Sequence, residues 1–312
     1  MAEPLAIAAL AIEAVVGWPD ALYRRIGHPV GFFAQLIDAA ERHGNRPDWP
    51  DAIRRVAGIV LVLLLLGLVG GGAWLVEREV RALCGVWAWP VLALLAVPGL
   101  AQRSLSDHVA PVARALEKGD VAGARVAVSR IVGRDTASLG PAGIARAAIE
   151  SLAESFCDGV AAPLFWLLIG GLPGIWAYKA LNTADSLIGH REPRWRAFGW
   201  AAARADDAAN WVPARLAGLL ICLGAARGLA TMWRDCRRHA SPNAGWPEAA
   251  MAGALGIRLA GPVAYDGVTH VKPWIGDGRS EATAADIVQA LGFYRRACLL
   301  LWLIAGGVAW AL

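Results

Sequence analysis

Long uncharged apolar runs, separated by charge-rich connections, dominate the chain. The clearest covers residues 59–76, with Arg54 and Arg55 ahead of it and Glu77 and Arg78 behind, the length and flanks that a bilayer-crossing helix needs. Residues 84–101 form a second run, with Trp87 and Trp89 near one end, where an aromatic belt sits. Residues 5–16 and 297–312 are read as two further spans. Residues 159–177 and 211–230 are apolar but interrupted, the first by Gly170, Gly171, Pro173 and Gly174 and the second by Arg215 and Arg227, so each is either a span or a re-entrant segment. The pattern predicts an all-α polytopic integral membrane protein, one domain over 1–312, with helical cytoplasmic connections and membrane-embedded or re-entrant segments.

The connections 102–158 and 231–296 are rich in charge, Gly and Pro and read as water-facing. Helices are expected over 106–131, broken at Lys118-Gly119-Asp120, and over 141–156, where Pro141 suits a first helical turn. No stretch alternates long enough to demand a sheet.

Composition agrees: 312 residues are 57% hydrophobic and 18% charged, with a mean hydropathy of +0.45, outside the range of an ordinary soluble domain. The net charge of +4 comes from Arg residues spread over the connections, with no basic stripe for nucleic acid. Arg24, Arg25, Arg42, Arg46, Arg54 and Arg55 put the first long connection in the cytoplasm and the N-terminus outside. The start has no basic n-region, so residues from Leu5 onward read as a retained segment. Five cysteines stand singly, without a C-x-x-C pair, which argues against a disulfide framework or zinc site.

Polar groups concentrate where apolar runs begin or end. Glu150, Glu154 and Asp158 recur every four residues, along one face of any helix that continues so far. The row is either a solvated face or a set of oxygen ligands for a divalent cation; the apolar run that follows presses Asp158 against the membrane boundary and weakens the first reading. Asn182 and Asp185, one turn apart, either ligate one ion or bond between helices together with Thr183 and Ser186. Lys179 caps a helix or meets a phosphate. Arg215, costly inside an apolar helix, either snorkels or pairs with Asp207 or a bound phosphate. Ser241 and Asn243 are helix caps or substrate contacts, and Lys272 opens a loop to Gly278 whose backbone amides are free to meet an anion.

Taken in order, the carriers are Gly27-His28-Pro29-Val30, Gly133-Arg134-Asp135-Thr136, Ala153-Glu154 with Asp158-Gly159 and Pro163, Tyr178-Lys179 with Asn182-Thr183 and Asp185-Ser186, Arg204 with Asp206-Asp207, Asn210, Pro213 and Arg215, Ser241-Pro242-Asn243 with Glu248, and Lys272-Pro273-Trp274-Ile275-Gly276-Asp277. Across nearly the whole chain this set resembles the adenosylcobinamide-phosphate synthase family of cobalamin biosynthesis, the CobD/CbiB family. Ser155 stands where that family often has Asn, and Trp18 where it often has Asp.

The resemblance implies a bacterial inner-membrane enzyme, with its active site facing the cytoplasm, that uses ATP and Mg2+. It would join a propionate of the corrinoid adenosylcobyric acid to (R)-1-aminopropan-2-ol phosphate, or a related amino-alcohol phosphate, most simply through an acyl phosphate. Its partners would be the bilayer and either a second copy or other late cobalamin-pathway enzymes. Residue types then suggest roles. Glu150, Glu154, Asp158, Asp185 and Asp207 are metal-ligand candidates, the last four also catalytic together with Lys179. Arg134, Asn182, Arg204, Arg215, Ser241, Asn243 and Lys272 are substrate- or phosphate-binding candidates. His28 either contacts substrate or is a structural imidazole in a turn. A spanning 159–177 would put 178–210 outside and part Asp185 from Asp158, so a re-entrant return to the same side is predicted, with three or four true crossings in all. Two other readings remain open: a prenyltransferase-like enzyme, because Asp206-Asp207 is similar in kind to acid-rich diphosphate sites, and a transporter or sensor whose buried charges bind a ligand.

Overall fold

The computed structural model describes residues 4–133, 135–265, 268–270 and 273–311; Arg134 and Lys272 lie outside the described residues. The helices are α1 Leu5–Val16, α2 Asp20–Ile26, α3 Pro29–Gly44, α4 Asp51–Cys84, α5 Ala88–Ala96, α6 Gln102–Glu117, α7 Val121–Val128, α8 Pro141–Phe156, α9 Ala162–Ile188, α10 Trp200–Ala209, α11 Trp211–Ala225, α12 Leu229–Asp235, α13 Gly245–Leu255 and α14 Ala284–Ala311. Among the described residues the strands are β1 Leu259–Ala260 paired antiparallel with β4 Trp274–Ile275, and β2 Val263–Tyr265 paired antiparallel with β3 Val268–His270, beside an isolated bridge between Ile257 and Arg279. Strands of two or three residues carry no alternation for a pattern to reveal.

The chain forms two compact units. One holds Met1–Ala101, Ala162–Asn210 and Ala305–Leu312; the other holds Gln102–Ala161 and Trp211–Ile304. Both charge-rich connections fall in the second unit. Among the described residues, three helical stretches, Asp51–Glu117, Pro141–Ile188 and Ala284–Ala311, are long and apolar enough to cross a membrane, or up to five if two bent helix pairs each count as a span.

In the first unit α4 is the axis. It runs well past the predicted 59–76 at both ends because the flanking Arg, Glu, Leu and Ala residues are good helix formers, and it stops where Gly85 turns to φ 54°. Its 34 residues rise about 50 Å. Leu63 and Leu64 on its outer face are 64% and 66% exposed, which suits lipid and not water. The run 84–101 is the nine-residue α5 between the 3₁₀ turns Gly85–Trp87 and Val97–Gly99.

At its Arg54 end, α4 closes on a buried polar knot. Arg54 donates from Nε to Asn45 Oδ1 at 2.8 Å and from Nη2 to the Arg194 carbonyl. Asn45 Nδ2 reaches Glu41 Oε1 at 3.1 Å, and Arg194 Nη2 the same oxygen at 3.0 Å. The charge pattern casts Arg54 as a cytoplasmic anchor, but its side chain is buried and ties the ends of α3 and α4 to the segment after α9.

The first half of α9 ends at Gly171, whose φ of 60° and ψ of −149° leave the helix. Only glycine adopts this conformation readily. A Cβ on Gly174 would lie 2.2 Å from the carbonyl oxygen of Trp166, eight residues back; a straight helix would separate the two by about 12 Å, so the chain folds back on itself. The second half then runs antiparallel to α4: the Leu172 amide meets Glu77, Ala177 meets Gly70, and Leu181, Ala184 and Ile188 pack with Leu61, Val62 and Phe198. This is the interruption that Gly170, Gly171, Pro173 and Gly174 predict.

Gly174→Val places a side chain where the Trp166 backbone passes, whereas a Cβ on Gly170 meets nothing within 4 Å. In detergent, thermal unfolding should show Gly174→Val destabilised by roughly 3 kcal/mol or failing to fold, and Gly170→Val near wild type. Equal tolerance of both would rule out the close reversal.

Candidate functional site

The returning half of α9 presents polar residues to α10 within the first unit. Tyr178 and Asn182 are four apart on α9, as are Asp206 and Asn210 at α10 and its end, so each pair shares a face. Tyr178 donates to Asn210 Oδ1 at 3.0 Å. Asn210 Nδ2 donates to Asp206 Oδ2 at 3.0 Å, and Asn182 Nδ2 to Asp206 Oδ1 at 3.3 Å. All four are buried. Thr183 and Ser186 turn back onto the carbonyls of Lys179 and Asn182, bonds within α9 where bonds between helices were expected; the interhelical bond is that of Asn182 to Asp206. Next to these residues in sequence, or within one turn of them on the same two helices, are Lys179, Asp185 and Asp207, each partly buried, and Arg204, whose Nη2 is 2.7 Å from Asp207 Oδ2. His28 accepts from the Val30 amide at 3.2 Å and packs edge-on against Trp18 at 5.0 Å; it is the turn imidazole that caps α3.

The second unit holds the other group. On α8 Glu150 is buried and Glu154 exposed, and a π turn, Cys157–Ala161, carries a half-buried Asp158. The expected single face of three carboxylates is therefore altered: the wider turn rotates Asp158 off the α-helical register. Pro163 accounts for the site of that turn, since it offers no N–H to the carbonyl of Gly159 and its ring crowds it. Glu150 Oε1 accepts from the Ala260 amide at 2.8 Å, and so holds β1.

Arg215 lies between the rings of Trp211, at 4.3 Å, and Trp246, at 4.6 Å, and reaches Asn243 Oδ1 at 3.4 Å. The two indoles fix the guanidinium plane, more than snorkelling would. Ser241 Oγ accepts from the amides of Asn243 and Ala244 at 3.2 and 3.3 Å, a cap ahead of α13. Behind it His239 Nε2 is 3.6 Å from the buried Glu248.

The loop after Lys272 is held differently from the expectation of free amides. Gly276 N donates to Asp235 Oδ2 at 2.9 Å. Asp235, fully buried, also takes Arg234 Nε at 2.9 Å and Arg238 Nε at 3.2 Å, while Arg234 Nη1 reaches Asp277 at 2.8 Å. The Arg234 hydrogen bond holds the Asp235 carboxyl below the usual carboxylate range, against the opposing pull of burial.

Sequence reasoning gave Asp206 a role only in the prenyltransferase-like alternative, and assigned none to Asn210, Tyr178 or Asp235. The two i, i+4 polar pairs were the available signal for the first three; for Asp235 there was none, because its amide partner is 41 positions away.

Among the described residues, no three His, Cys, Asp or Glu side chains group as a metal site of their own. The donors are nonetheless of the right kind for Mg2+, which takes oxygen ligands and is commonly held by one or two carboxylates plus substrate phosphates. Asp185, Asp207 and Asn182 in the first unit supply donors of that kind.

Buried carboxylates, amides and cations on broken apolar helices define a multi-pass membrane protein with polar chemistry inside its helices, a combination too costly to persist without use. The chain belongs to the CobD/CbiB family: the family model described as CobD/Cbib protein matches residues 6–294. Relatives named cobalamin biosynthesis protein CobD include one from Rhodobacter capsulatus, 48% identical over 97% of this chain and 96% of its own length. Another, from Rhizobium meliloti, is 45% identical over 94% and 92%, and one from Klebsiella pneumoniae 43% over 90% and 89%. No solved structure matches the chain. Membership supports an enzymatic role in cobalamin biosynthesis.

Tyr178→Phe should cost about 1 kcal/mol and Asp206→Ala about 3 kcal/mol of stability, read as falls in unfolding temperature in detergent; an unchanged Asp206→Ala would mean the bond chain is not formed. Because the Asp235 pKa is lowered on folding, its stabilisation is complete above the unfolded value near 3.9 and is lost as pH falls through the folded value. The stability gap between wild type and Asp235→Asn should therefore hold steady from about pH 7 to 5 and narrow below about 4. A gap that widens on acidification would contradict this sign.

Proposed function

We propose that the chain is an ATP- and Mg2+-dependent ligase that joins a propionate of adenosylcobyric acid to (R)-1-aminopropan-2-ol phosphate, or a related amino-alcohol phosphate, giving adenosylcobinamide phosphate. The observation that carries this reading is the family match over residues 6–294.

A carboxylate and an ammonium group do not condense at neutral pH, so the carboxylate needs a better leaving group. In the proposed sequence a propionate oxygen attacks the γ-phosphorus of ATP and the bridge to ADP breaks. The amine then attacks the carbonyl carbon, a C–N bond forms and inorganic phosphate leaves. The amine must lose a proton, and Glu154, Asp158, Asp185 and Asp207 are the candidate acceptors. Mg2+, when bound with the nucleotide, would neutralise phosphate charge; its candidate ligands are Asp185 and Asp207 in the first unit and, taken separately, Glu150, Glu154 and Asp158 in the second.

Lys179, Arg204, Arg215, Arg134 and Lys272 are the candidate phosphate partners. Arg215 is the best prepared of the described ones, because two indoles already fix its fork for two oxygens. Asn182, Ser241 and Asn243 would position substrate. The site faces the cytoplasm in this reading, and the return of α9 toward the Arg54 end of α4 supports it.

Purified protein supplied with adenosylcobyric acid, the amino-alcohol phosphate and Mg-ATP should form the corrinoid amide with one nucleotide cleaved per amide. Asp207→Asn and Arg215→Lys should each lower kcat/KM by about 10²-fold or more. No amide from folded wild type would overturn the assignment. Turnover of an isoprenoid diphosphate without ATP, or ligand transport without chemistry, would replace it.

A further inference from the structure

At the other end of α4 from Arg54 the first unit holds an open cavity of about 300 Å3. Its walls are apolar, from Ala6 on α1, Leu168 on α9, and Val308 and Ala309 on α14; its polar edge is Glu77 and Arg81 on α4. Arg81 lies 27 positions beyond Arg54, about 40 Å along a helix. The hydrocarbon layer is about 30 Å thick, so the two cations stand at opposite interfaces. Neighbouring side chains agree with that depth: Trp74 lies under Arg78 at 5.7 Å, and Trp310, next to Ala309, is 91% exposed, as interfacial indoles are.

The occupant is restricted by these surroundings. Ile169, beside Leu168, is 63% exposed, so this part of the unit faces lipid and a membrane-resident molecule reaches the cavity more readily than a soluble metabolite. Glu77 is engaged on both oxygens, Oε2 by the Leu172 amide at 2.8 Å and Oε1 by Arg81 at 2.8 Å. Arg81 meets that oxygen with both Nε, at 2.9 Å, and Nη2; its side chain is 40% exposed, and a guanidinium carries five N–H donors, enough for a carboxylate and a phosphate together.

We propose that this cavity binds one glycerophospholipid of the leaflet opposite the Arg54 end, with an acyl chain between α9 and α14 and its phosphate on Arg81. The lipid then steadies the reversal at Gly171 through Arg81, Glu77 and Leu172, away from the polar groups assigned to the reaction.

The test is native mass spectrometry of the full chain in maltoside detergent, titrated with phosphatidylethanolamine and with phosphatidylglycerol, beside thermal unfolding. Wild type should retain one phospholipid at detergent levels that strip the rest and unfold at higher temperature with added lipid. Arg81→Gln and the cavity-filling Ala309→Trp should each weaken retention at least tenfold, while Leu299→Trp, on an exposed face outside the cavity, should retain it. Should Ala309→Trp not fold, the loss in Arg81→Gln decides alone. Wild type without a retained phospholipid, retention unchanged in Arg81→Gln, or a retained molecule lacking phosphate would each overturn the proposal.

Discussion

A helix that stops inside a bilayer exposes amides that no water is there to meet, and each costs several kcal/mol if left alone. At Gly171 the chain accepts that condition, and Glu77 relieves it by placing a carboxylate on the Leu172 amide, the first of the returning half. The same carboxylate crowds Gly171 closely, 2.6 Å from where a Cβ would be, so turn and cap exclude any larger residue together. Arg81 in turn holds Glu77. With the break secured, α9 runs back along α4, and Tyr178, Asn182 and Asp185 come to lie toward the Arg54 end of that helix.

The buried charges of the chain divide by what their partners are. Arg54, Glu41 and Asn45 in one unit, and Asp235 with Arg234 and Arg238 in the other, have dense, well-placed partners among side chains and backbone. Breaking one member of such a set leaves an uncompensated charge and commonly costs 3–5 kcal/mol, so these knots fix loops. The groups around Asn182 and Arg215 are arranged differently, with cations at partly exposed positions beside buried amides. That arrangement suits an incoming anion, because the donors are oriented in advance while the charge still faces an open side.

Much of this was legible as pattern. Residues 5–16 and 141–156 are α1 and α8 to the residue, and Lys118-Gly119-Asp120 separates α6 from α7, with Asp120 capping the second. These features are local, set by apolar length, by Pro at a first turn and by Gly and Asp at a break. The interruption near Gly171 was legible for the same reason. What was not legible depends on contacts far apart in the chain. A count of arginines casts Arg54 as a topological charge, since nothing nearby shows that the Arg194 carbonyl will meet it. The π turn at Cys157–Ala161 follows from Pro163 only once a helix is known to run through it. Likewise Gly276 looked like a free amide because Asp235 precedes it by 41 positions.

The donor set bears on how a cation would be held. Asp206 has both oxygens bonded to the amides of Asn182 and Asn210, so its charge orients neighbours; the carboxylates nearest to these residues in sequence on the same two helices are Asp185 and Asp207. Two carboxylates with an amide oxygen make a weak site for a dehydrated ion, yet Mg2+ keeps several waters and draws further oxygens from phosphates. A site of this kind gains its affinity when nucleotide supplies the remaining ligands, and Arg204, 2.7 Å from Asp207, keeps the carboxylate charge balanced until then. In the proposed reaction, metal and nucleotide would therefore bind with positive coupling, because each brings charge that the other needs.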